Sequence, residues 1–126
     1  MDITPDNELT GKIIGLAIEV HRHLGPGLLE SAYEQCLCFE LRHAAIPHTR
    51  QQKLPIQYKG AALDYCYQID IIVDNSLIIE VKSVDQIVPV HEAQLLTYMR
   101  LSGIPFGLIL NFNSPTLKDG IRRRRI

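Results

Sequence analysis

The sequence predicts a single α/β domain of three layers, in which a central mixed sheet of about four strands lies between helices. Two patterns and the length carry this reading. Apolar residues recur every three or four positions over the first third of the chain and again near residue 95, yet they alternate in twos from residue 54 to residue 82. The implied order is helix, helix, strand, strand, strand, helix, strand. Successive strands favour antiparallel hairpins, and the strand–helix–strand step favours a parallel crossover. At 126 residues the chain has enough material for one core and too little for two.

The first helix begins at the capping residues Thr4-Pro5-Asp6-Asn7 and carries Leu9, Ile13, Leu16, Ala17, Val20 and Leu24 on one face. Gly25-Pro26-Gly27 ends it. A second helix is expected from about Leu28 to Ala45, with Leu29, Ala32, Tyr33, Cys36, Leu37 and Leu41 inward. Leu54, Ile56 and Tyr58 then alternate, Lys59-Gly60 can turn, and Leu63, Tyr65, Tyr67, Ile69, Ile71 and Val73 alternate again. Ser76 to Ser83 reads as a third strand, and His91 to Ser102 as a third helix closed by Gly103. Ile104 to Phe112 is nearly all apolar, as in a strand covered on both faces. Residues 1–126 are thus one domain, with an irregular, arginine-rich tail expected over 115–126.

Composition narrows the class. Apolar residues at 46% and charged residues at 21% match an ordinary globular domain and exclude disordered, collagen-like and disulfide-scaffold chains. No apolar run reaches the roughly 18 residues of a membrane span, and the acidic start lacks the apolar segment of a signal peptide. Cys36, Cys38 and Cys66 show no Cys-x-x-Cys spacing, which argues against a zinc knuckle and for a reducing, cytoplasmic location. The net charge of −1 conceals an asymmetry, because Arg122 to Arg125 supply four of the thirteen basic residues. Without them, nine basic against fourteen acidic residues leave a body of −5. Such a body repels a polyphosphate, so a nucleic-acid partner requires a local site or the arginine run.

The chemistry is concentrated in two strands. Asp70 interrupts the apolar stretch Ile69-Asp70-Ile71-Ile72-Val73, and Glu80 and Lys82 interrupt Ile78-Ile79-Glu80-Val81-Lys82-Ser83. Ionised groups in apolar strands are costly unless paired or metal-bound. Two carboxylates on neighbouring strands suit a hard divalent cation such as magnesium, which prefers oxygen ligands and keeps waters. A lysine beside it would orient or help deprotonate an attacking water. The register tests the idea. A two-residue loop at Asp74-Asn75 would place Asp70 and Glu80 on opposite faces, whereas the three-residue loop Asp74-Asn75-Ser76 pairs residue 70 with residue 80 on one face.

Asp70, nine intervening residues and Glu80-x-Lys82 together resemble the core motif of the PD-(D/E)XK nuclease superfamily. Gly27-Leu28-Leu29-Glu30-Ser31-Ala32-Tyr33 resembles the signature of its GxxExxY branch, and Gln94-Leu95-Leu96-Thr97-Tyr98 the Gln-x-x-x-Tyr motif of its exonuclease-like relatives. The resemblance implies a restriction-endonuclease-like fold and a magnesium-dependent nuclease, with manganese as a substitute, that hydrolyses phosphodiester bonds of DNA or RNA. It implies Asp70, Glu80, the Val81 carbonyl and Glu30 as metal ligands, Lys82 as the catalytic lysine, and Gln94 as a positioning group. Tyr98, Arg100 and Arg122, Arg123, Arg124 and Arg125 would face the substrate. The chain lacks a Pro-Asp pair, having Gln68-Ile69 before Asp70.

Plainer readings exist for each residue. Glu80 and Lys82 suit a surface ion pair, Asp70 a buried acid held by donors, and Glu30 an acid in a first helical turn. Gln94 and Tyr98 suit simple packing, His91 a structural or phosphate-contacting role, and the arginine run a solvated tail. At the level of the whole chain, the alternatives to a nuclease are a non-catalytic nucleic-acid-binding or protein-interaction module, or hydrolysis of a small phosphoester. A homodimer would let two copies reach both strands of a duplex, although no dimer seam stands out.

Overall fold

The computed structural model describes residues 5–126, with side chains from Glu8 onward, so the capping side chains read at Thr4 to Asn7 lie outside the described residues. In α1 (Pro5–Leu24) the buried residues Ile13, Ala17 and Val20 follow one another at spacings of four and three. Helix α2 (Glu30–His43) buries Tyr33, Leu37 and Leu41 in the same manner. It is shorter at both ends than its apolar pattern suggested, because Gly25 to Leu29 are used in the connection from α1. The strands β1 (His48–Tyr58), β2 (Ala61–Val73), β3 (Leu77–Lys82), β4 (Phe106–Asn111) and β5 (Ile121–Arg125) lie in that order across one sheet. Only the β3–β4 pair is parallel, and α3 (Pro89–Ser102) makes that crossover.

Three layers result. Helices α1 and α2 cover one face, where Ile71, Val73, Leu77, Ile79, Val81, Leu108 and Leu110 meet Ile13, Ala17, Leu37 and Leu41. Helix α3 covers the other face, packing Leu95, Tyr98 and Met99 on Ile69, Ile72, Ile78 and Ile109. A Cβ at Gly107 would lie 2.7 Å from Met99 Sδ and 2.8 Å from Leu95 Cδ1, so the close seat of α3 on β4 depends on glycine there.

Two expectations require correction. The sheet has five strands rather than four, and residues 115–126 are not an irregular tail: a 3-10 turn, Leu117–Gly120, leads into β5, which pairs antiparallel with β4. Four consecutive arginines carry no alternating pattern. The strand forms because β4 offers an open edge, along which residues 121–125 pair, and the Arg125 guanidinium lies over the Phe106 ring at 5.5 Å. A charged edge strand also discourages pairing with other chains. In addition, β1 begins at His48, well before Leu54. Its polar first half gains order by pairing with the apolar half of β2, as in Thr49↔Ile72 and Arg50↔Ile71.

The β2–β3 hairpin has the three-residue loop, with Val73↔Leu77, Ile72↔Ile78 and Ile71↔Ile79 as partners. Asp74 and Asn75 take φ of 50° and 51°, a left-handed conformation that Asp and Asn tolerate. The next rung of this register sets Asp70 opposite Glu80.

Candidate functional site

That next rung is where β2 and β3 stop pairing by backbone alone. The Asp70 amide donates to Glu80 Oε2 at 3.0 Å, and the Val81 amide donates to Asp70 Oδ2 at 2.8 Å. Each carboxylate thus caps a backbone group of the opposing strand, and the two acids sit side by side at the mouth of the parted hairpin. Glu80 is 3% exposed. Its carboxyl is pushed up to about 8, first by burial and then by the Asp70 carboxylate, against smaller relief from the Asp70 amide and Lys82. Burial also raises Asp70, and the Val81 amide counters it. Two acids forced together in this way are arranged to receive positive charge.

Lys82 follows Glu80 by two residues on β3, so both leave the strand on the same side. It lowers the carboxyls of both Asp70 and Glu80 and is half-buried. Tyr98 approaches from α3: burial, then Glu80 and Asp70, push its hydroxyl up to about 12. Gln94 and Tyr98 line a cavity of about 240 Å³ with Tyr67, Val90, Ala93 and Thr97, and the Tyr67 and Tyr98 rings are 5.3 Å apart. Among the described residues Gln94 makes no hydrogen bond to the acidic pair.

Glu30 opens α2 and accepts from the Ser83 amide at 3.2 Å, while Ser83 Oγ donates to the Leu28 carbonyl at 2.6 Å. These bonds tie the start of α2 to the strand end that carries Lys82. The turn before it depends on Gly27, with φ of 98°, and on Tyr33, whose buried hydroxyl donates to the Gly25 carbonyl at 2.5 Å and accepts from the Leu28 amide at 3.1 Å. Gly27, Glu30 and Tyr33 therefore act together: a left-handed turn, a clamp on that turn, and an acid delivered to the end of β3. On the far side of the strand end, the Asn111 side chain holds the Val84 amide and carbonyl at 3.0 and 2.9 Å and fixes the chain leaving Lys82.

The arginines are not gathered at the acids. In register, Glu80 faces Ile109, and Ile109 faces Arg122, which puts Arg122 level with Glu80 two strands away, roughly 10 Å across the sheet. Arg124 pairs with Glu92 of α3. Arg123 and Arg125 alternate to the α1 face, where with Arg124 they border a small cavity beside Thr10 and Leu77, at the opposite end of β3 from Lys82. Arg100 is exposed in the last turn of α3 and contacts Thr97 at 3.4 Å. His91 is structural: its Nδ1 accepts from the Val88 amide at 3.1 Å and caps α3.

Sequence reasoning missed Glu34, Arg50 and Gln51. Glu34 is buried and accepts from Arg50 Nε at 2.8 Å and Gln51 Nε2 at 2.7 Å, and the same Gln51 nitrogen reaches Asp70 Oδ1 at 3.3 Å. The available signal was the spacing of Glu30 and Glu34, four apart and so on one side of α2.

An all-oxygen set of Asp70, Glu80 and the Val81 peptide suits a hard cation that retains water. Among the described residues no third His, Cys, Asp or Glu joins them in one cluster, so water or a phosphate oxygen would complete the shell. No described helix is long and apolar enough to cross a membrane. No curated protein and no solved structure matches the chain. A family model described as the PD-(D/E)XK nuclease superfamily matches residues 7–124, nearly the whole chain. With the three-layer fold and the paired acids at the parting of β2 and β3, that match settles the family: the chain belongs to the PD-(D/E)XK nuclease superfamily.

Proposed function

We propose that the protein is a magnesium-dependent nuclease hydrolysing phosphodiester bonds of nucleic acid, DNA before RNA, with manganese able to replace magnesium. The observation that carries this reading is the juxtaposition of half-buried Asp70 and buried Glu80, mutually repelling and bonded to each other's strand. Asp70 and Glu80 would hold the cation with the Val81 carbonyl. When bound, it would supply Lewis acidity to water and offset charge on the transferring phosphoryl group. Lys82 orients the attacking water and stabilises charge developing on the phosphate. Glu30 fixes the strand end beside Lys82, and Gln94 and Tyr98 form the wall against which the substrate lies. The finer assignment to the GxxExxY branch rests on Gly27, Glu30 and Tyr33.

Of the arginines, Arg122 alone in the run is level with the acids, and it is the one we assign to the substrate backbone. The alternative, a non-catalytic binding module, is favoured by the same distribution, since Arg124 is engaged with Glu92 and Arg123 and Arg125 lie away from the acids. Incubating purified protein with labelled single-stranded and branched DNA, with magnesium and with chelator, separates the two. Cleavage that needs the metal and vanishes in Asp70→Ala and Lys82→Ala supports the nuclease; binding without cleavage under every condition supports the module.

A further inference from the structure

The geometry points to Gln51 as a positioning residue that locks the Asp70 carboxylate from the β1 side and links it to buried Glu34 and its partner Arg50. This rests on the reading of Asp70 as a metal ligand. Gln51 lies in β1 between Arg50, paired with Ile71, and Gln52, paired with Ile69, and so stands opposite Asp70. Its backbone is left-handed, with φ of 54°, which is rare for a residue with a long side chain inside a strand. Strain of this kind persists where the surroundings enforce it, and it gathers at functional sites. The partner strand is disturbed at the same place. Ile69 and Ile72 both pack on the α3 face, so the alternation of β2 breaks across Asp70.

The twisted backbone has one visible result. It brings Gln51 Nε2 to 2.7 Å from Glu34 Oε1 and 3.3 Å from Asp70 Oδ1. Both partners are carboxylate oxygens, which accept only, so the amide presents its two N–H groups, one to each. Asp70 then has a donor on each oxygen: the Val81 amide on Oδ2 and Gln51 on Oδ1. A carboxylate held at both oxygens cannot rotate about its terminal bond. Arg50, bonded to Glu34 at 2.8 Å, keeps that buried acid in place as the anchor for Gln51. Groups behind a metal ligand orient it, and their removal typically weakens metal binding by about ten- to a hundredfold.

The test pairs two readouts on the full chain: calorimetric titration with manganese alone, and the thermal midpoint of the metal-free protein. Gln51→Gly suits the left-handed backbone but deletes the donor. It should bind manganese about tenfold or more weakly than wild type, with a midpoint no lower than wild type. Manganese affinity of Gln51→Gly within about twofold of wild type overturns the inference, as does a loss of affinity accompanied by a lower midpoint, which marks Gln51 as merely structural. Wild-type protein that binds no manganese, even with a nonhydrolysable phosphorothioate DNA present, overturns the metal reading itself, and the role of Gln51 with it.

Discussion

The two ends of the β2–β3 hairpin are built from the same strands between the same helices, yet they do opposite things. Toward the loop, Ile71, Ile72 and Val73 pair rung for rung with Ile79, Ile78 and Leu77, all of them buried and apolar. One rung further, the ladder gives way to carboxylates that reach for backbone amides, and Glu80 is buried at the cost of being driven toward its neutral form. The loop end supplies stability and a rigid frame. The open end draws on that frame to keep two repelling acids together. Substitutions at the two ends should therefore affect different quantities.

The largest effect is expected at the open end. Asp70→Ala or Lys82→Ala should reduce magnesium-dependent cleavage at least about a hundredfold, while circular dichroism shows the fold retained. At the loop end, Ile79→Ala removes a fully buried side chain from the α1–α2 core. Its cost should be about 2–5 kcal/mol, read as a lower denaturation midpoint in urea. If Ile79→Ala leaves stability intact, the division between the two ends is wrong.

Glu80→Gln sharpens the contrast through pH. A free glutamate ionises near 4.5, whereas Glu80 in the fold holds its proton to about 8, raised first by burial and then by Asp70. Below 4.5 the folded and unfolded chains are both protonated at this group, and its neutral burial costs nothing extra. As pH rises from 4.5 to 8 the unfolded chain releases the proton before the fold does, so the group's contribution to stability is progressively lost. The amide has no such loss. Metal-free Glu80→Gln should thus match wild type near pH 4 and exceed it in melting temperature by about 2–5 °C at pH 8. Melting curves across that range check the sign, and a gap that widens toward acid would contradict it.

The smallest effect belongs to Arg124. Its pair with Glu92 is part-exposed, so Arg124→Ala should change stability by about 0–1 kcal/mol in equilibrium unfolding. A larger loss would mean that β5 is a structural keystone rather than a charged cover for the edge of β4.

Much of this architecture was legible in the residues. Asp70 and Glu80-x-Lys82 announced themselves as charges inside apolar strands, and the register argument turned their ten-residue spacing into a testable loop length, which the hairpin has. The helices followed their apolar spacing because each buries a single face. What escaped was ordered by tertiary partners rather than by local pattern. Strand β5 has four arginines in a row and exists because β4 has an edge to cover. The first half of β1 is polar and exposed on most of its length, and it takes its register from β2. Glu34 lies sixteen and seventeen positions before Arg50 and Gln51, across a change from helix to strand, so their meeting depends on how α2 lies on the sheet.

The most direct test of the central claim is a calorimetric titration of magnesium into the protein in the presence of a nonhydrolysable phosphorothioate DNA, with Asp70→Ala and Glu80→Ala alongside wild type. Wild type should show saturable binding that is lost in both variants, because the two carboxylates at the parting of β2 and β3 hold the ion together with a substrate oxygen. Equal binding by all three proteins, or none by wild type with the DNA present, would contradict it.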